Sequence, residues 1–397
     1  MTLLGKAIKN VRCTKGTSER QVSMRVTFFA RVDTNLNPYL LLYQEALEGQ
    51  GISVHLEREF SLKWLLTHGN TCDAIHLHWI ESTYKPSAWN TRFRLIERLM
   101  DNRLSITLRS VLRLLDVSTA LLLAKLQRKV IVYTVHNLTY KGEFWPFKVL
   151  NRVAHRVVLS LADHIHAHNR YTREILGTAY GREHGVLVVP IGNYIGRYPN
   201  QISRSKARQQ LGLPDDALVY LFMGLVRPYK GVEELIEAFE KLESPNSRLL
   251  IVGRALNASY REKILGLTQH RPCITLIPEF VPDEAIQLYM NACDVCVLPY
   301  RHITTSSAAL LALSFGRPVI VPAIASFPEL VTPETGILYE PSEPDGLASA
   351  LRQAGQRSWS EPEIFEYVHQ FDWHKLGPQL AKLYRRELDR KRRLVSP

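Results

Sequence analysis

Short apolar runs bounded by glycine, proline or charged residues recur along the chain, and stretches of helical period separate them. Residues 24–30 read as a first buried strand, 39–48 as a helix closed by Gly49 and Gly51, and 52–56 as the second strand. Such a β-α-β opening predicts a right-handed parallel unit. Residues 73–81 read as a strand with polar groups at its exit, 92–129 as a long basic helical region, and 129–133 as the next strand. A helix over 147–162, a strand over 163–168 and an apolar stretch over 186–190 follow. Residues 194–216 read as a linker holding a short helix, 204–211, closed by Gly212 and Pro214. The alternation then resumes. Strands are expected at 218–222, 248–252, 273–277 and 295–298, and helices at 232–242, 259–268, 283–292 and 345–354, with a last helix over 374–392. This pattern predicts an α/β protein built from parallel β-α units.

Length and charge narrow the partners. The 397 residues suit two domains of about 150–200 residues. A hydrophobic share of 46% with 22% charged residues is that of a globular protein. The net charge of +12 favours acidic partners: sugar nucleotides, anionic lipid surfaces or nucleic acid. No zinc-finger, RRM or KH signature is present, which sets nucleic acid aside. The five cysteines are scattered, as in a reducing cytosol, and Cys293 and Cys296 read as small buried hydrophobes rather than a metal pair. Neither a signal peptide nor an apolar run long enough to span a bilayer is visible, so a cytoplasmic protein is expected, peripheral on the inner face of the cell membrane at most.

Two stretches carry the chemistry. In the first, a strand runs into Gly224, which lets the backbone turn tightly, and Arg227 and Lys230 follow before a helix. Cations at a strand exit beside a helix amino terminus sit where doubly wound folds place anionic ligands. In the second, the strand 295–298 leads through Pro299 and Tyr300 to Thr304, Thr305, Ser306 and Ser307 at a helix start, then to Gly316, Arg317 and Pro318. Hydroxyls and free N–H groups there suit a phosphate.

Together these stretches resemble the donor half of GT-B glycosyltransferases, in particular the large retaining family 4. The resemblance implies two Rossmann-like domains facing a cleft, with the C-terminal helix crossing back to the first domain. The boundaries expected are a flexible extension over 1–23, an acceptor domain over 24–193, a linker over 194–216, a nucleotide-sugar domain over 217–358, and the crossover helix with a basic tail over 359–397. The resemblance further implies that Arg227 and Lys230 grip the sugar-nucleotide diphosphate. Gly224, Arg254 and the Thr304–Ser307 turn complete the donor side, and Phe280 and Val281 lie against the base. No divalent metal or other cofactor is then required. One departure stands out. The two glutamates that the family usually carries across this turn and helix fall on Ile303 and Leu311 here.

On the acceptor side, Thr134, Val135, His136 and Asn137 resemble the family's active-site histidine motif at a strand exit. His76 and His78 share one face of their strand, without an evident third metal ligand. His78, Trp79 and Glu81 are expected to face the cleft, with Trp79 either a sugar-stacking ring or a core tryptophan. Asn35 in the loop 31–38 and Asn193 in a hinge-like turn complete the expected acceptor contacts. Nine cations against three acids across 92–129, and the tail Arg390, Lys391, Arg392 and Arg393, suit either an anionic membrane or plain solvent. The function expected is transfer of a sugar from a nucleoside-diphosphate donor to a glycan or lipid-linked acceptor. A catalytically silent GT-B subunit and a GT-B nucleotide-sugar epimerase are the alternatives.

Overall fold

The computed structural model describes residues 24–31, 38–85, 103–138, 145–385 and 389. Asn35, residues 92–102 and the tail from Arg390 to Arg393 lie outside them. Two six-stranded sheets dominate. The first holds β1 (Met24–Phe29), β2 (Ile52–Glu57), β3 (Ala74–His78), β4 (Val130–Val135), β5 (His164–Ala167) and β6 (Val186–Val188). Its spatial order is β2-β1-β3-β4-β5-β6, all parallel. The second holds β7 (Leu218–Met223), β8 (Ser247–Val252), β9 (Ile274–Ile277), β10 (Val295–Val297), β11 (Val319–Pro322) and β12 (Gly336–Tyr339), in the order β12-β11-β10-β7-β8-β9, again all parallel.

Both sheets are doubly wound, so each has a point where the strand order reverses. It falls between β1 and β3 in the first sheet and between β7 and β10 in the second. Loops leaving the two strands of such a point diverge to opposite faces and open a crevice at the carboxyl edge. Side-chain alternation then sorts the first core. Phe29, Leu77 and Tyr133 point to one face, under the helices Arg103–Leu126 and Trp145–Leu161, while Val26, Phe28 and Val132 point to the other. Leu376 of the helix Trp373–Leu380, with Leu383 and Tyr384, joins that second face. Gly377 makes the approach close, since a Cβ there would lie 2.6 Å from the Ala46 carbonyl.

Three readings need correction. The strand expected over 73–81 ends at His78, because Trp79 turns left-handed (φ 46°) and a helix, Ile80–Tyr84, begins. The helix Arg170–Tyr180, capped by Asn169, was not anticipated between β5 and β6. The stretch expected as a linker is packed. Its helix Arg204–Leu211 docks on Asp283–Ala292, and the buried Arg208 donates to Asp294 at 2.7 Å and to the Ala217 carbonyl at 2.7 Å.

Candidate active site between the two sheets

The loops that leave β7 and β10 meet at the reversal point of the second sheet. Gly231 has φ +69°, and a Cβ there would overlap the Pro299 carbonyl, so only glycine lets the two loops touch. The Arg301 N–H donates to the Tyr229 carbonyl at 2.8 Å, and Lys230 Nζ donates to the Tyr300 hydroxyl at 2.8 Å. The same ammonium lies 4.2 Å from the centre of the Tyr300 ring. Burial, and then the charge of Arg227, push the Lys230 pKa down to about 8. Arg227 Nε is buried and has no hydrogen-bond partner among the described residues. Arg301 differs: it pairs with Glu233 at 3.8 Å and with Glu234. Arg227 and Lys230 are thus close like charges without a carboxylate among the described residues. An anion placed between them would relieve that repulsion.

The remaining donor-side candidates are spread around this point. Gly224 and Arg254 end β7 and β8, joined by the Val226 N–H donating to the Arg254 carbonyl at 2.9 Å. Arg254 is exposed, Phe280 is half-exposed, and Val281 packs on the core beyond β9. Ser306 caps the helix Ser307–Ser314 by accepting from the Ala309 N–H at 3.1 Å. Ser307 is exposed. Thr304 and Thr305 are engaged from the other sheet. The Asn169 carboxamide donates to the Thr304 carbonyl and the Thr305 hydroxyl, both at 2.9 Å. Ile303 and Leu311 pack against the second core and offer no acceptor.

The first sheet presents a different edge. His76, His78, His136, His166 and His168 gather at the exits of β3, β4 and β5. His76 Nε2 lies 2.7 Å from the Thr134 hydroxyl, which lies 3.2 Å from His166 Nδ1. His78 Nδ1 is 3.2 Å from His136 Nε2, and the His136 ring stacks on Trp79 at 3.7 Å. Burial first, then their neighbouring imidazoles, hold His76, His78, His136 and His168 well below the ordinary histidine range; burial takes His166 to about 4. These rings are neutral at pH 7. His78 Nε2 and His168 Nδ1 are buried without a hydrogen-bond partner among the described residues. Among those residues no cluster is arranged to hold a metal ion.

The structure therefore brings His78, Trp79 and His136 together, with Asn137 next in the chain. It does not bring Glu81 to them. Glu81 lies in the helix after Trp79 and acts on Tyr133, which points to the opposite face of the sheet. Asn193 is buried, and its amide donates to the Val368 carbonyl at 3.0 Å and Asp372 at 2.6 Å, so it ties the hinge rather than facing open space.

Sequence reasoning gave no joining role to the residues that tie the two edges, although Glu329 stood out in the helix start over 328–331. Asn169 holds the Thr304–Thr305 turn. Glu329, at the start of the short helix after β11, accepts from the Arg170 and Tyr171 N–H groups at 2.8 Å each and so caps the helix Arg170–Tyr180 from the other domain. Between these ties lies a cavity of about 470 Å³ lined by His168, Asn169, Thr305, Ser306, Glu329 and Phe371. A smaller one, about 250 Å³ behind the helix Val232–Glu240, has Glu234, Glu237, Glu343 and Asp345 against Lys241 and Arg301, a lining that repels phosphate.

Two doubly wound sheets with a cationic strand exit opposing a polar one have the GT-B fold. The comparisons agree. Residues 217–356 match the family Glycosyl transferases group 1. The chain is 26% identical over 359 residues to a GDP-mannose:glycolipid 4-beta-D-mannosyltransferase of Xanthomonas campestris pv. campestris, covering 89% of each chain. It is 27% identical over 286 residues to a D-inositol 3-phosphate glycosyltransferase of Corynebacterium efficiens, covering 66% of this chain and 67% of that one. In fold it resembles sucrose-phosphate synthase of Thermosynechococcus elongatus, with a TM-score of 0.71 at 18% identity over 92% of this chain and 100% of that one. HepE of Anabaena, solved with UDP, gives 0.68 at 19% identity over 90% and 99%.

Proposed function

We propose that this glycosyltransferase takes a nucleoside-diphosphate sugar on its second domain and passes the sugar to a glycan or lipid-linked acceptor held at the histidine edge of the first. The observation that carries the donor assignment is the pair Arg227 and Lys230, close like charges with no carboxylate against them among the described residues, at the reversal point of a doubly wound sheet. A leaving diphosphate gains negative charge in the transition state, so two fixed cations there stabilise it more than the ground state. The names of the Xanthomonas and Corynebacterium relatives support a glycolipid or phosphorylated polyol as the acceptor class. His136, neutral and stacked on Trp79, is in this reading the hydrogen-bond partner of the transferred sugar or the acceptor hydroxyl.

Two finer points belong to the same reading. The cations replace a divalent metal, so turnover in excess chelator should equal turnover without it; loss of turnover restored by Mg²⁺ would contradict this. Retention of the anomeric configuration is what the resemblance implies. Ile303 and Leu311 leave it without the usual carboxylates, and NMR of the product's anomeric centre decides it. An inverted product would make His136 the base on the acceptor hydroxyl. The test of the function itself is a panel of sugar nucleotides, read by slow hydrolysis and by calorimetry. Binding and hydrolysis of one donor supports transfer, binding of none supports the silent-subunit alternative, and conversion to an isomeric sugar nucleotide supports the epimerase.

A further inference from the structure

The helix Arg103–Leu126 buries Ser110, Leu114, Val117, Leu121 and Ala124 against the first sheet. Its opposite side is also apolar. Leu108, Leu112, Leu115, Leu122 and Leu126 are each more than half exposed, and Leu126 reaches 80%. At 3.6 residues per turn these leucines fall within an arc of about 80°, directly opposite the buried face. A helix apolar on both sides belongs inside a protein or against another apolar medium. The neighbouring helix Trp145–Leu161 packs beside it on the same face of the sheet and extends the pattern. Trp145, Val149 and Val153 form an exposed row at successive turns, and Trp145 is 73% exposed. Lys148, Arg152 and Arg156 form a parallel exposed row one position earlier or later in each turn. None of these three cations has a carboxylate partner among the described residues, whereas Arg113 and Lys125 on the first helix pair with Glu59 and Asp163.

We propose that this two-helix face docks on the surface of an anionic membrane, with the leucine and Trp145 rows in the acyl boundary and the Lys148–Arg152–Arg156 row on lipid headgroups. The contact is interfacial, since no helix among the described residues is long and apolar enough to cross a bilayer. The cation row, without carboxylate partners among the described residues, selects the membrane over a second copy of this chain. A two-fold interface would set that row near its own copy, and like charges would repel. The assignment differs from what charge alone suggests: the leucines, not the count of arginines, locate the contact.

The experiment uses the whole 397-residue chain without donor or acceptor, so it is independent of the glycosyl-transfer reading. Cosedimentation compares vesicles of phosphatidylcholine alone with vesicles in which about a third of the lipid is phosphatidylglycerol. Wild type should bind the anionic vesicles, less at high salt, with a blue shift in emission that Trp145→Phe removes. Leu115→Gln/Leu122→Gln should bind about tenfold more weakly or worse. Lys148→Glu/Arg152→Glu/Arg156→Glu should lose the preference for anionic lipid. Unchanged vesicle binding in the leucine variant would overturn the proposal. So would lipid-free dimerisation that the leucine variant abolishes, which would assign the face to a second copy. A lower melting temperature of that variant without lipid would assign it to the chain's own residues and overturn the proposal equally.

Discussion

The exits of the two sheets are polar in opposite ways. The first gathers imidazoles that burial keeps neutral; the second keeps two cations without carboxylates among the described residues. Both lie at the carboxyl edge of a parallel, doubly wound sheet, so the fold alone does not decide what each edge binds. The side chains do. A neutral edge can orient hydroxyls without holding a diphosphate, and a charged edge can hold a diphosphate without needing to move a proton. The contrast predicts that binding and chemistry separate cleanly by domain.

The largest effect should come from the neutral edge. His136→Ala should lower transfer by about 10²–10⁴-fold, while nucleoside-diphosphate affinity stays nearly unchanged. Loss of activity that tracks loss of melting temperature would make His136 structural and break the contrast. The next effect is acid stability. Folded pKa values below the unfolded value near 6.5 mean that the unfolded chain binds more protons in acid. The stability these histidines contribute is complete above about pH 6.5 and is lost as pH falls toward their folded values. His166, at about 4, should account for about 2 kcal/mol between pH 8 and 5. A melting temperature flat across that range would contradict the neutral cluster.

The charged edge should respond on the other side of neutrality. With the free Lys230 near 8, nucleotide affinity should be full below that pH and fall about tenfold by pH 9, with proton uptake on binding near pH 8. Calorimetry in buffers of different ionisation enthalpy reads the uptake directly. Smallest are the ties between the edges. Asn169→Ala frees the Thr304–Thr305 turn, and Glu329→Gln weakens a cap reached from the other domain. Each should raise the donor KM about three- to tenfold, within the range of a lost hydrogen bond, with kcat moved less. Scattering that shows a more open molecule would confirm that these residues act by positioning.

The sheets were legible because strands of a parallel, covered sheet are short apolar runs, and their exits were legible because glycine marks them. Arg227, Lys230 and the Thr304–Ser307 turn were found for that reason. The contacts between edges were not, since Asn169 and Thr304 are 135 positions apart and nothing local to either points to the other. The histidine cluster was half visible. His76 and His78 were read as a pair, but His166 and His168 repeat that spacing on β5, and only the order β3-β4-β5 brings them together. The left-handed turn at Trp79 escaped because an apolar run does not report the residue that ends it. The outward leucines of Arg103–Leu126 escaped for a simpler reason: periodicity gives the arc of apolar positions, not which arc the core takes.

The separation of binding from chemistry is tested most directly by titrating one nucleoside diphosphate into wild type, Lys230→Ala and His136→Ala by calorimetry at pH 7. A charge-assisted contact is worth about 1.5–3 kcal/mol, so Lys230→Ala should bind tenfold or more weakly, and His136→Ala should bind as wild type does. Equal affinity in wild type and Lys230→Ala would contradict the account, because the cation pair would then not be the seat of the diphosphate.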